Sequence, residues 1–211
     1  GKWLPQFGYY DYYGHWTFPG PWALVHKMRE DLPAFRDMGG TFIMLEAQPN
    51  FATQGLNHYV LAQLAWNLDV DVDLAVEEFI QQYYGPVAEP MRDYWMTAER
   101  FYALERPGTN NPPRAALRPE FWADLERCLA RAVQAAANLP ADQKRFADRA
   151  KFTVDGFNYS RRHFEYQRDH GYYASELQKP VNHAAAIAYL RNHRAYFEGL
   201  PHQYPAGDGF W

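Results

Sequence analysis

The 211-residue sequence lacks the features that mark several common classes of protein. It contains a single cysteine, Cys128, so no disulfide can form within the chain and the redox compartment stays open. Its net charge is −4 and its basic residues are scattered, which excludes the charge pattern of a nucleic-acid-binding protein. No uninterrupted apolar run is long enough to predict a membrane span. The sequence is therefore typical of a globular protein that has neither a nucleic-acid partner nor a membrane partner.

Motifs for metals and nucleotide cofactors are also lacking. The segment Asp69–Asp73 has the aspartate spacing of an EF-hand loop, but Leu74 and Ile80 occupy the positions that require Gly and Glu. Asp71 or Asp73 is therefore expected to cap the following helix. No zinc-type spacing and no glycine-rich phosphate loop is present, so we expect no metal and no cofactor.

Aromatic residues are abundant, at 18% of the chain, and they cluster near its start. The segment Tyr9–Trp16 combines four tyrosines with Asp11, a glycine, His15 and a tryptophan at the end of a predicted strand. Hydroxyl donors, an imidazole and flat rings around one pocket are the groups that bind a polyol. The alternative is an aromatic core strand in which the backbone satisfies His15.

The segment Thr41–Asn50 predicts a buried strand with two unlike faces. One face is apolar throughout, whereas the other begins apolar and ends with Glu46, Gln48 and Asn50. Parallel α/β proteins place their ligand-binding groups at this end of their strands. We therefore predict a binding site here, with the capping of a neighbouring strand or loop as the alternative.

The order of the predicted elements changes along the chain. Two strand–helix pairs, the repeating unit of a parallel sheet, precede a series of helices with apolar residues every three or four positions. The predicted elements of the first part are the strand Phe7–Tyr13, the helix Trp22–Met38, the strand Thr41–Gln48 and the helix Leu56–Leu68. We accordingly divide the chain into βα units at 1–68 and an α-helical domain at 69–211.

The second part carries two further expectations. Phe146, Phe157 and Phe164 repeat along one side of a predicted long helix and should be mostly buried. Cys128 shares a helical stripe with apolar residues and is expected to be a buried, inert thiol.

Two βα units cannot close a barrel, which needs eight strands. The sequence also begins without an initiator Met or a signal-peptide pattern. We therefore expect the chain to be the carboxyl-terminal part of a larger protein.

Three segments carry a resemblance to a known group of enzymes. The runs Leu56–Asn67, Asp71–Asp73 and Glu78–Gly85 resemble the last barrel helix and the following helices of a bacterial TIM-barrel glycosidase group. That group includes an uncharacterised family related to α-glucuronidases and β-hexosaminidases, and it is similar to the inverting exo-sialidases. The resemblance implies the last two βα units of a (β/α)8 barrel followed by a helical domain.

The resemblance also implies a function. The chain would belong to a glycoside hydrolase that acts from the chain end on an acidic sugar, most closely an inverting sialidase. Its catalytic acid and base would lie upstream of this chain, as would the arginine that clamps the sugar carboxylate. The substrate-binding residues in this chain would be Tyr13, His15, Trp16, Glu46, Gln48 and Asn50.

Alternatives to this interpretation remain. One is an α-glucuronidase-like or β-hexosaminidase-like enzyme in which Glu46 is a catalytic carboxylate, paired with Asp11. Another is a non-catalytic carbohydrate-binding or helical interaction module. The expected partners are a glycan, the missing amino-terminal barrel portion and, as a further candidate, a second copy of the chain. A bacterial cytoplasmic protein and an exported one are both compatible with the sequence.

Overall fold

The computed structural model describes residues 7–14, 18–45, 50–105 and 112–198. This part of the chain is 73% helical and contains two short strands. The elements are β1 (Gly8–Asp11), α1 (Val25–Asp37), β2 (Phe42–Leu45), α2 (Phe51–Trp66), α3 (Val72–Tyr84), α4 (Ala88–Ala103), α5 (Pro119–Ala136), α6 (Lys144–Asp169), α7 (Tyr172–Glu176) and α8 (His183–Glu198).

The two strands form a parallel pair joined by α1. Gly8 lies opposite Phe42, and Asp11 lies opposite Leu45. A Cβ atom on Gly8 would stand 2.0 Å from the Phe42 ring, so the ring packs where only a glycine leaves room. The pairing therefore depends on a residue without a side chain at the start of β1.

The two faces of this sheet have different surroundings. Tyr9 and Ile43 are partly buried and pack against the hydrophobic core. On the other face, Tyr10, Phe42 and Met44 are 48%, 57% and 62% exposed. Within the described residues, the sheet is thus covered on one side only.

The prediction of two βα units from a (β/α)8 barrel followed by a helical domain is wrong. No barrel of βα units is present in the described ranges, whose sheet has only two strands. The order strand, helix, strand, helix does occur, but each strand is only four residues long. Where the structure describes the chain beyond residue 71, the apolar repeat forms helices and supplies no further strand to the sheet. The segment Thr41–Gln48 was also expected to be buried, whereas its outer side chains Phe42 and Met44 are exposed.

The helices share one core rich in aromatic side chains. Trp95 of α4 donates its indole Nε1–H to the Tyr84 hydroxyl at 3.1 Å, and that hydroxyl lies 2.9 Å from Thr153 Oγ1 of α6. These polar atoms are buried, so their mutual hydrogen bonds offset the cost of removing them from water. The core extends from Tyr13 near β1 to Tyr173 in α7, and so it includes side chains from both parts of the sequence.

The three phenylalanines of α6 have different degrees of burial. Phe157 and Phe164 are each 1% exposed, which confirms that prediction, whereas Phe146 is half-buried. The Phe146 ring lies against Gly85, where α3 ends with a φ of 51°. A side chain there would meet both a strained backbone and this ring.

Helix starts show one local cap and one distant cap. Asp71 accepts hydrogen bonds from the backbone N–H groups of Asp73 and Leu74 at 2.9 and 3.1 Å, which confirms its predicted capping role. Leu24, which precedes α1, offers no polar side chain. Instead, Glu99 of α4 accepts from the N–H groups of Val25 and His26 at 3.0 and 2.5 Å.

The segment between β1 and α1 is fixed by helices from both parts of the chain. The carbonyl oxygen of Pro19 accepts hydrogen bonds from Thr53 Oγ1 of α2 and Ser160 Oγ of α6, each at 2.7 Å. The Trp22 N–H donates to the Thr53 carbonyl at 3.1 Å. None of the helices in the described ranges is long and apolar enough to cross a bilayer.

Candidate functional site

The carboxyl end of β1 carries a hydrogen-bonded carboxylate. The Tyr9 hydroxyl donates to Asp11 Oδ2, and the Tyr12 backbone N–H donates to Asp11 Oδ1 at 2.6 Å. Burial and the neighbouring Asp11 carboxylate raise the pKa of Tyr9 above its ordinary value. Tyr9 therefore stays protonated and acts as a donor at neutral pH.

A second carboxylate lies beside the first through α1. The Tyr13 hydroxyl donates to Asp31 Oδ2 at 3.2 Å, and Lys27 Nζ donates to the same oxygen. Burial, followed by the charge of Asp31, raises the pKa of Tyr13. The charge of Asp31 also raises the pKa of Tyr9, and that of Asp11 raises the pKa of Tyr13. We call Tyr9, Asp11, Tyr13 and Asp31 the Tyr–Asp cluster.

Two tyrosines project from the other face of the same strand end. Tyr10 and Tyr12 are 48% and 43% exposed, and their hydroxyl oxygens lie 2.9 Å apart. Their rings meet edge to face, with centroids 5.2 Å apart. Exposed aromatic faces beside hydroxyl groups are suited to stacking on the apolar face of a sugar ring.

The first half of α2 brings three amide side chains to the same end of the molecule. Asn57 accepts from the Leu24 N–H through Oδ1 and donates from Nδ2 to the Tyr13 carbonyl, both at 2.9 Å. Gln54 is fully buried, and neither Nε2 nor Oε1 has a hydrogen-bond partner. Asn50 immediately precedes the helix and is half-buried. Asn57 therefore ties α2 to the segment that follows β1.

Asn50 borders a small cavity between α2 and α6. Pro19, Thr53, Tyr159 and Ser160 also line it, and its volume is about 10 Å³. Such a space holds at most about one water molecule. A sugar ring cannot enter it in this conformation.

A larger groove of about 660 Å³ lies between α4 and α5. Three arginines and two aspartates line it together with Cys128, and it contains none of the sequence-predicted site residues. Cys128 is half-exposed there rather than buried. Even this partial burial raises the pKa of the Cys128 thiol, which favours the unreactive protonated form.

The structure describes two of the six predicted binding residues. Tyr13 is buried with its hydroxyl on Asp31, and Asn50 precedes α2. Asn57 contacts the Tyr13 carbonyl two turns after Asn50, so both predicted residues belong to the same end of the fold. The other four predicted residues lie outside the described residues: His15, Trp16, Glu46 and Gln48.

Sequence reasoning missed four polar residues at this end. Lys27 and Asp31 are spaced four apart on α1, a pattern shared with many exposed helical ion pairs. Gln54 and Asn57 were a better signal, because they stand in a largely apolar helical segment at core positions. In the described part of the chain, no group of three or more His, Cys, Asp or Glu side chains could hold a metal ion.

Comparison with known proteins gives one match. Residues 4–97 match the sequence model of a domain of unknown function (DUF4838). No curated protein and no solved structure matches the chain. The matched residues include both strands, the Tyr–Asp cluster and the three amides of α2, and they end inside α4. The candidate site thus lies within the part of the chain that is similar to this family.

Proposed function

We propose that this chain is the glycan-binding part of a glycoside hydrolase, with the main catalytic residues outside it. The observation that supports this most directly is the exposed Tyr10–Tyr12 pair beside the hydrogen-bonded Asp11. Flat rings that stack on a sugar, next to groups that exchange hydrogen bonds with hydroxyls, form the usual arrangement of a carbohydrate site.

The substrate class follows from the resemblance to inverting exo-sialidases and their relatives. We propose a terminal acidic sugar such as sialic acid as the substrate, with a glucuronide or a hexosaminide as the alternatives. No cofactor takes part in this reaction. This chain need not supply the acid and base, because the two carboxyl groups of a glycosidase only have to flank the scissile bond and can come from another part of the enzyme.

Binding can be tested with the intact 211-residue chain. Saturation-transfer NMR with N-acetylneuraminic acid, glucuronic acid and N-acetylglucosamine should detect contact with at least one sugar. Replacement of both Tyr10 and Tyr12 by Ala should abolish the signal, because it removes the stacking surface. Phe42→Ala is the matched control, since Phe42 is an exposed aromatic on the same face at the opposite end of the strand pair. Failure of all three sugars to bind the unaltered chain would contradict the proposal.

A substitution of Glu46 distinguishes a supporting role of this residue from a catalytic one. If Glu46 only supports the sugar, Glu46→Gln should leave measurable hydrolysis in a preparation that cleaves a glycoside. If it is a catalytic carboxylate, the same change should lower kcat by about 10²–10⁴-fold, the range for general acid–base groups. Asn50→Ala serves as the comparison, because loss of a neutral hydrogen bond should weaken binding by only about tenfold or less.

A second candidate function is a carbohydrate-binding module without catalysis. It is favoured because both carboxylates of the Tyr–Asp cluster are already hydrogen-bonded: Asp11 accepts from Tyr9 and Tyr12, and Asp31 accepts from Tyr13 and Lys27. A carboxylate that already accepts two hydrogen bonds has fewer lone pairs left to take a proton from a substrate. In a preparation that also contains the proposed catalytic part, retained sugar binding without turnover of any 4-methylumbelliferyl glycoside of the three sugars would support the module.

A further inference from the structure

The side-chain amide of Gln54 is buried without hydrogen-bond partners. Its side chain is 0% exposed, and both atoms of its carboxamide lack a partner. A carboxamide offers two donors and an acceptor oxygen with two lone pairs. Native proteins pair the great majority of such buried groups, so a complete lack of pairing needs an explanation.

A comparison with other buried polar groups shows how Gln54 differs from them. Asn57 has the same functional group on the same helix, and both of its amide atoms are paired with backbone. The hydroxyls of Tyr94 and Tyr102 are also buried without a partner, but each lies on an aromatic ring packed among other rings. A hydroxyl brings a single donor into the core, whereas the Gln54 amide brings two donors and a carbonyl.

The position of Gln54 connects it with the candidate site. Asn50, Gln54 and Asn57 are spaced by four and three residues, so they share one face of α2. Asn57 reaches the Tyr13 carbonyl, which shows that this face is directed to the segment following β1. The unpaired carboxamide therefore lies on the same face of α2 as Asn57, whose amide reaches the Tyr13 carbonyl.

We propose that the Gln54 carboxamide binds hydroxyl groups of a sugar and has no role in holding the fold together. This inference rests on the proposed glycan-binding function. An amide can donate to one sugar hydroxyl and accept from its neighbour, so it suits a vicinal diol. Because the side chain is fully buried, the chain that covers it moves when the sugar enters, and that movement lowers the apparent affinity.

The test uses Gln54→Met, which keeps the length of the side chain and removes its hydrogen-bonding groups. The melting temperature should stay the same or rise, because an unpaired polar group leaves the core. Affinity for the sugar that binds the unaltered chain should fall by about tenfold, the effect of losing one or two neutral hydrogen bonds. Asn57→Leu is the matched control, and it should lower the melting temperature because two backbone groups lose their partner.

Each outcome decides the matter. If Gln54→Met lowers the melting temperature as much as Asn57→Leu does, the amide is a structural group and the inference is overturned. If the unaltered chain binds a sugar and Gln54→Met binds it equally well, the inference fails while the proposed function stands. If none of N-acetylneuraminic acid, glucuronic acid and N-acetylglucosamine binds the unaltered chain, the proposed function fails and the role of Gln54 fails with it.

Discussion

Glu99 is a single side chain that joins two helices. Its carboxylate lies at the amino terminus of α1, where it accepts from two backbone N–H groups and lies 2.7 Å from Nδ1 of His26. The unpaired N–H groups and the helix dipole both favour a negative charge at this position. α1 thus obtains from α4 the cap that Leu24 cannot provide.

Glu99→Ala should therefore destabilise the protein by about 1–3 kcal/mol, the range for leaving buried donors unpaired. Urea unfolding followed by circular dichroism measures this difference. Glu89→Ala is the control on the same helix, because Glu89 forms only an exposed ion pair with Arg131 and should change stability by less than about 1 kcal/mol. Equal effects of the two changes would show that Glu99 is not a cap.

The two helix caps also show what a sequence can reveal at this scale. Asp71 was predicted correctly because it lies next to the N–H groups that it binds. Glu99 lies 74 residues from Val25, and no local pattern connects them. For the same reason Tyr13 was identified as a site residue, but its partner Asp31 was not.

At the scale of elements, α8 docks on α6 through stacked rings. Tyr159 and His163 of α6 stack with centroids 5.8 Å apart, and Tyr159 also contacts His193 of α8. Burial, aided by His193, lowers the pKa of His163 to about 4, while burial and Arg162 lower the pKa of His193. Both imidazoles are therefore neutral in the folded protein at pH 7.

This arrangement predicts that α8 is lost in acid. Between pH 6.5 and about 4 the unfolded chain binds a proton at His163 that the folded chain does not, so stability is full above pH 6.5 and falls as the pH decreases. The slope is up to about 1.4 kcal/mol per pH unit for a fully buried group and smaller for this half-buried one. Helicity and urea midpoints measured from pH 7 to 4 would reveal the loss.

Two variants control this measurement. His163→Phe keeps a ring in the stack and should flatten the pH dependence over that range. His183→Gln, at an exposed position at the start of α8, should leave it unchanged. A pH dependence that persists in His163→Phe would contradict the assignment to this residue.

Phe157 fixes the packing of α6 against two other helices. Its ring contacts Tyr94 of α4 and Trp122 of α5, and the side chain is 1% exposed. Phe157→Ala should cost about 3–5 kcal/mol because it leaves a cavity in the core. Thermal and urea unfolding measure this loss. Phe146→Ala is the reference variant, and it should cost less stability because Phe146 is only half-buried. An unchanged stability together with lost sugar binding would instead give α6 a direct role in the site.

At the scale of the whole molecule, the sequence predicted the helices well and the sheet poorly. Apolar residues repeated every three or four positions identify α3 to α6. This signal is reliable because the buried side of a helix is formed by residues that are close together in the sequence. The extent of a sheet depends on strands that pair across distance, and the strand candidates Phe7–Tyr13 and Thr41–Gln48 could not reveal that the pair stands alone among the described residues. The barrel was implied by the resemblance, and the described residues do not contain it.

The family match does not coincide with a unit of folding. It ends at residue 97, inside α4, although the core next to the matched part is completed by Phe121 of α5 and Phe157 of α6. A chain of residues 1–105 should therefore fail to fold, with little helical signal and no cooperative melting. The 211-residue chain is the control, and a cooperative transition in the short chain would contradict this expectation.

The bond between Ser160 and Pro19 has a consequence for the synthesis of the protein. It closes a separation of 141 residues, and it fixes the segment between β1 and α1. At about 5–20 residues per second, a ribosome needs roughly 7–28 s to translate that interval. During that time the Pro19 carbonyl can pair with Thr53 of α2 but not yet with Ser160 of α6. The start of the chain thus reaches its final hydrogen bonding only after α6 has been translated.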